Sequence, residues 1–90
     1  MPDVTSEASR LLGRRLRERR LELELNQEAV ALAAGLNVSN YARIDRGHGN
    51  PTFHTLIRLA TVLKIDLSEL LVDFSAELLR TPRDSRDDSV

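Results

Sequence analysis

QEAVALAAGLNVSNYARIDR, residues 27 to 46, is the stretch whose reading decides the fold. A short helical pattern covers Gln27 to Ala34, a glycine at 35 interrupts it, and a second pattern begins after Asn37. Ala31 is small where two crossing helices would touch. Gly35 falls where the turn needs a positive φ, which glycine adopts at less cost than any residue with a Cβ. Val30, Ala34, Leu36, Tyr41 and Ile44 are apolar at the positions that face inward. An ordinary helical hairpin does not require the breaker, the small residue and the apolar phase to agree in this way.

The layout is that of a helix-turn-helix, whose second helix can enter the major groove of DNA. Outward from it, a first helix is expected from Ser6 or Glu7 to about Glu24. Its inner stripe is Leu12, Leu16 and Leu23, with Ala8 and Leu11 beside it. Arg20 follows Leu16 by one turn and points near that apolar face, so its charge needs a partner. Asn26 and Asn37 are expected to cap the second and third helices, and Gly47 to stop the third. His48-Gly49-Asn50-Pro51 is loop chemistry. Thr52 should cap a fourth helix with Phe53, Leu56, Ile57, Ala60 and Leu63 inside. Asp66 and Glu69 suggest a capping box for a fifth helix carrying Leu67, Leu70, Leu71, Phe74 and Leu78 on one side. The expected organisation is a flexible arm (residues 1–5), one domain (6–79) and a disordered acidic tail (80–90). No strand pattern, internal repeat or interdomain linker is visible. The fold class is therefore all-α, a compact five-helix domain.

Ninety residues suffice for one small core. Aromatic residues are only 3 % of the chain, so Leu, Ile, Val and Ala must build it. There is no cysteine, which excludes disulfides and thiolate metal sites. No apolar run approaches the roughly 18 residues of a membrane span. MPDVTSEASR lacks the charged-then-apolar pattern of a secretory signal, so a cytoplasmic location is expected. The net charge of −1 hides an asymmetry. Residues 10 to 64 hold ten Lys/Arg and five Asp/Glu, residues 65 to 90 hold three and seven, and residues 1 to 9 add two acids. The region around the motif is thus basic, and a local basic face attracts a phosphate backbone whatever the whole-chain pI.

Enzymatic signatures are missing. The two histidines, His48 and His54, are not spaced as H-E-x-x-H. Gly47-His48-Gly49 lacks the third glycine and the preceding strand of a dinucleotide loop. No serine lies in a G-x-S-x-G elbow. No catalytic residue, cofactor or metal site is expected.

Several segments in order carry a resemblance to a known family. They are the arginine-rich LLGRRLRERR at 11–20, N-Q-E-x-x-A-x-x-A-G from Asn26, R-I-D-R-G from Arg43, N-P-T-F-x-T-L-x-R-L-A from Asn50, and D-L-S-E-L-L from Asp66. Together, over about residues 10 to 72, they resemble the Cro/repressor-type helix-turn-helix family of phage and bacterial regulators, whose domain is lambda-repressor-like. The resemblance implies roles for individual residues. Val38, Ser39 and Arg43 match the base-reading positions of the recognition helix. Arg43 is the strongest of these because its fork can hold guanine O6 and N7 together. Gln27, Asn37, Asn40, Arg46, His48 and Asn50 match phosphate-contacting positions, and Asn37 serves equally as a cap. Arg20 and Asp45 match a structural ion pair joining the first and third helices. Glu24 departs from the family, which often has glycine there, so either a tighter turn or a longer first helix is expected. Tyr41 replaces a branched aliphatic, so its hydroxyl needs a partner.

The function that follows is sequence-specific recognition of double-stranded DNA by helix 38–46 in a dimeric repressor or controller. A palindromic operator would set the two recognition helices about 34–36 Å apart. Leu67, Leu71, Phe74 and Leu78 are the expected homodimer contacts, on the ground that the fifth helix carries more apolar surface than one small core needs. The alternative is an antitoxin or adaptor that acts mainly through protein–protein contacts.

Overall fold

Four of the helices begin on a side chain that accepts a hydrogen bond from the backbone N–H three residues on. In the computed structural model, which describes residues 5–80, the helices are α1 (Glu7–Glu22), α2 (Gln27–Ala34), α3 (Val38–Asp45), α4 (Phe53–Val62) and α5 (Leu67–Leu70), with a 3-10 helix at Ala76–Leu79. The caps are Ser6 for α1, Asn26 for α2, Asn37 for α3 and Thr52 for α4, accepting at 3.0, 2.8, 3.2 and 3.1 Å. No strand occurs among the described residues, and no helix among them is long and apolar enough to cross a membrane. Most of the arm and tail expected at the two ends lies outside the described residues. Of their inner edges, Thr5 Oγ1 meets His48 Nδ1 at 3.3 Å, and the Arg80 carbonyl accepts from the Glu7 N–H at 3.0 Å.

The same four helices share one way of stopping. Each is followed by a residue with positive φ: Glu24 (57°), Gly35 (71°), Gly47 (87°) and Lys64 (54°). The N–H of the next residue then reaches back to a carbonyl five positions earlier. These bonds run Leu25 to Arg20, Leu36 to Ala31, His48 to Arg43 and Ile65 to Ala60. This Schellman closure satisfies carbonyls that the helix end would leave open. Glycine marked two of the four ends in the sequence, and Glu24 and Lys64 hid the others. At Glu24 the structure settles the departure from the family: helix α1 is not longer, because Glu24 adopts the left-handed conformation that glycine would adopt more easily.

The core joins Leu12 and Leu16 of α1, Val30, Ala31 and Ala34 of α2, Tyr41 and Ile44 of α3, Leu59, Ala60 and Leu63 of and after α4, and Leu70 of α5. Helix α1 crosses the end of α3 at Gly13, where a Cβ would lie 2.7 Å from the Gly47 nitrogen and the Ile44 carbonyl oxygen. Only backbone stands in the way there, so nothing flexible can yield. The loop after α3 is also tied down, since the buried Ser9 hydroxyl donates to the Gly49 carbonyl at 2.8 Å.

Two expectations need correction. In α4 the inner stripe is rotated. Leu59 is fully buried with Ala60 and Leu63, whereas Phe53 and Ile57, expected inside, are 61 % and 41 % exposed. Spacing alone could not choose, because α4 is apolar on more than one side. The fifth helix is also not continuous. It ends at Leu70, Asp66 makes no side-chain cap bond, and Asp73 turns to φ 68° before the 3-10 helix. Arg15 is the reason visible in the fold. Its Nη1 donates to the carbonyls of Leu70 (2.9 Å) and Val72 (2.7 Å), and its guanidinium lies 5.2 Å from the Phe74 ring centroid. Consequently Leu67, Leu71 and Phe74 pack against the monomer's own core, and Leu78 is half-buried.

Two substitutions separate these constraints. Gly13→Ala should destabilise the domain by about 1–3 kcal/mol through overpacking. Glu24→Gly should stabilise it by about 0.5–1 kcal/mol by relieving the left-handed strain. Thermal unfolding followed by circular dichroism should therefore move in opposite directions for the two.

Candidate nucleic-acid interface

Buried Asp45, the last residue of α3, holds that helix in phase. Its Oδ1 accepts from Arg20 Nε (3.1 Å) and the Tyr41 hydroxyl (3.0 Å), and its Oδ2 from Arg20 Nη2 (3.1 Å) and Gln27 Nε2 (2.9 Å). One carboxylate thus ties α1, α2 and α3 together. Arg20 Nη1 also donates to the Leu25 carbonyl at 3.0 Å, which fixes the turn after α1. No buried side-chain nitrogen or oxygen among the described residues lacks a hydrogen-bond partner. Burial opposes the Asp45 charge, but hydrogen bonds from Arg20, Gln27 and Tyr41 outweigh it and hold the carboxyl below its ordinary value of 3.8. The bond to Asp45 likewise raises Arg20 against the cost of its burial. Burial first, and then the Asp45 charge, push the Tyr41 hydroxyl well above its usual range, so it remains a donor.

The opposite side of α3 is open. Val38, Ser39 and Asn40 are exposed, and Arg43 is half-buried. Asn40, Arg43 and Asn50 share one concavity with the capped start of α4 at Thr52. Ser39, Arg43 and Arg46 follow at i, i+4 and i+7, one stripe along the helix. Three residues expected at phosphate have internal engagements. Gln27 is bound to Asp45 by its amide nitrogen, which carries a second N–H. Asn37 caps α3 through its side-chain oxygen. His48 is half-buried with Nδ1 on Thr5. Arg46 and Asn50 are exposed.

This geometry agrees with what comparison with known proteins returns. A helix-turn-helix family profile matches residues 16–70, more than half of the chain. The chain belongs to the Cro/repressor-type helix-turn-helix family. Among relatives of this helix-turn-helix chain is the cryptic phage CTXphi transcriptional repressor RstR of Vibrio cholerae, 30 % identical over 63 residues. The match covers 70 % of the chain and 57 % of that relative's length. Among solved structures, the restriction-modification controller protein C.AhdI of Aeromonas hydrophila is 37 % identical with a TM-score of 0.66. That match covers 69 % of this chain and 94 % of the controller. A hypothetical transcription factor, NHTF, from Neisseria covers 100 % of this chain and 91 % of its own at TM-score 0.68, and at 19 % identity it bears on the fold alone.

Sequence reasoning missed two members of the Asp45 cluster. The sequence places Gln27 at DNA and leaves the Tyr41 hydroxyl in need of a partner. The signal available was their spacing: Tyr41 precedes Asp45 by one helical turn, and Gln27 opens the helix packed against α3. No group of three or more His, Asp or Glu side chains among the described residues could hold a metal ion.

Asp45→Asn should strand the buried Arg20 charge and cost about 3–5 kcal/mol at neutral pH. Because the folded carboxyl is depressed, the stability its charge contributes is complete above the ordinary value of 3.8 and fades as pH falls below it. Urea denaturation across an acid pH series should show that decline in the wild type and a smaller one in the variant.

Proposed function

We propose that this chain is a sequence-specific, double-stranded DNA-binding transcriptional regulator, cytoplasmic, and active as a homodimer rather than as an enzyme. One observation carries the reading. Helix α3 is pinned from within by Asp45 and Tyr41, while Val38, Ser39, Asn40 and the Arg43–Arg46 stripe stay on its outer side. A short helix held rigidly with a polar, cationic outer edge fits the major groove. Arg43 is assigned to guanine, with Val38 and Ser39 beside it reading a thymine methyl and a further base edge. Arg46, Asn40 and Asn50 are assigned to phosphates, with Gln27, Asn37 and His48 adding to them at the helix starts and the loop. The names of the Vibrio repressor and the Aeromonas controller describe regulators, which supports the same assignment.

Dimerisation supplies the second half-site. The expected contacts Leu71, Phe74 and Leu78 are partly covered within the monomer. Further apolar surface lies on α4, where Ile57 is 41 % exposed and borders a concavity shared with Leu67, and beyond α5, where Val72 and Leu79 are exposed as well. We assign the second copy to that α4–α5 face, where it would pair the two domains about a palindromic operator.

Arg43→Ala should abolish discrimination between a selected operator and scrambled DNA while leaving a folded, monodisperse protein. Gel-shift titration measures this, and retained discrimination would sink the role of Arg43. Ile57→Glu should shift the dimer to monomer in sedimentation velocity and weaken operator binding. An unchanged sedimentation coefficient would move the interface elsewhere.

A further inference from the structure

The arginines of α1 divide by helical phase. Arg15 holds the carbonyls of Leu70 and Val72, Arg19 those of Leu63 (2.8 Å) and Lys64 (2.9 Å), and Arg20 holds Asp45. These three fasten α1 to the rest of the domain. Arg10, Arg14 and Arg17 lie at i, i+4 and i+7 and therefore on a different face. With Arg46 they line a concavity of about 380 Å³. All four residues are exposed, and no acidic residue lines this concavity, although Glu7 lines the neighbouring one with Arg10 and Arg14. Nothing in the packing of the core requires this convergence.

Four like charges around one hollow repel each other and call for an anion. The carbonyl end of α3 faces this region, but a helix terminus offers only about half an elementary charge. The guanidinium fork matches two phosphate oxygens at once, which a lysine ammonium does not. Position decides the occupant. Arg46 sits directly after α3, three residues beyond Arg43 on the stripe that also holds Ser39, so the hollow continues the proposed DNA face without a break.

We propose that Arg10, Arg14, Arg17 and Arg46 form a second backbone clamp that grips phosphates of the DNA strand passing the carboxyl end of the recognition helix. The clamp rests on the DNA-binding reading and extends it to a helix outside the helix-turn-helix motif. It carries no sequence information of its own. It adds affinity and extends the contacted duplex beyond the bases α3 reads.

The test is the triple variant R10Q/R14Q/R17Q of the 90-residue chain, titrated by fluorescence anisotropy against a duplex selected from random DNA and against a scrambled duplex, at several salt concentrations. Each lost phosphate contact should reduce the slope of log affinity against log salt by about 0.9, so the slope should fall by about two to three. Affinity should drop by the same factor on both duplexes, and the selected sequence should not change. The unfolding midpoint should stay level or rise as repulsion is relieved. An unchanged slope overturns the clamp, and so does a lowered unfolding midpoint without a change in slope. A wild type that binds neither duplex overturns the DNA reading itself, which is a separate result. The competing occupant is this chain's own acidic segment. If neutralising Asp84, Asp87 and Asp88 by Asn tightens DNA binding in the wild type but not in the triple variant, and the slope is unaffected by the triple substitution, that segment fills the hollow and the clamp is wrong.

Discussion

A single buried carboxylate sets the geometry on which the rest of this domain depends. Asp45 accepts four hydrogen bonds from side chains on α1, α2 and α3. Taking a carboxylate and a guanidinium out of water is costly, and the pair is tolerable only because nearly every donor and acceptor around it is matched. The consequence is rotational. A helix of eight residues packed through a few apolar side chains could turn about its axis at modest cost. With Asp45 and Tyr41 both bonded inward, α3 has one phase, and that phase puts Ser39, Arg43 and Arg46 outside. The charged cluster is therefore a specificity device for the orientation of one helix as much as a source of stability.

The second constraint is closeness. Helix α1 reaches the end of α3 only because Gly13 has no side chain, and the loop beyond α3 is held by Ser9. This contact brings the arginine face of α1 beside the carboxyl end of α3. The arginines of α1 thus serve two purposes according to their phase. Those facing inward or sideways take up carbonyls that short helices leave open, and those facing outward gather with Arg46. Short helices with few internal hydrogen bonds need such external partners. An arginine-rich first helix accordingly meets a structural need before any functional one.

Much of the fold was legible. The caps at Asn26, Asn37 and Thr52, the breaker at Gly35 and the inward phase of Val30, Ala34, Tyr41 and Ile44 are local matters, decided by hydrogen-bond chemistry within three or four residues. Expectation and structure part where local signals are degenerate. Helix α4 offers Phe53, Leu56, Ile57, Leu59, Ala60 and Leu63, from which two different stripes can be drawn, and only the position of α2 and α5 selects Leu59 over Phe53 and Ile57. The stretch after Leu70 keeps a helical apolar spacing, but Arg15, more than fifty residues earlier, takes its carbonyls and lets Asp73 turn the chain. In the candidate site, the partnership of Arg20 with Asp45 was visible from phase and family resemblance. The capture of Gln27 by the same carboxylate was not, because a side chain at a helix start can turn outward or inward with no change in sequence pattern.

What the sequence determined by itself was the first four helices, where they begin, and the fact that the third is a short helix with one apolar and one polar side. Those properties arise from interactions between residues close in the chain. The tertiary structure alone decided how that helix is rotated, which apolar side chains of α4 remain outside, and which arginines are consumed as structural donors and which converge on one hollow. Each of these depends on the meeting of groups twenty to sixty residues apart, where burial and the need to satisfy every buried charge select among arrangements that look equally good locally.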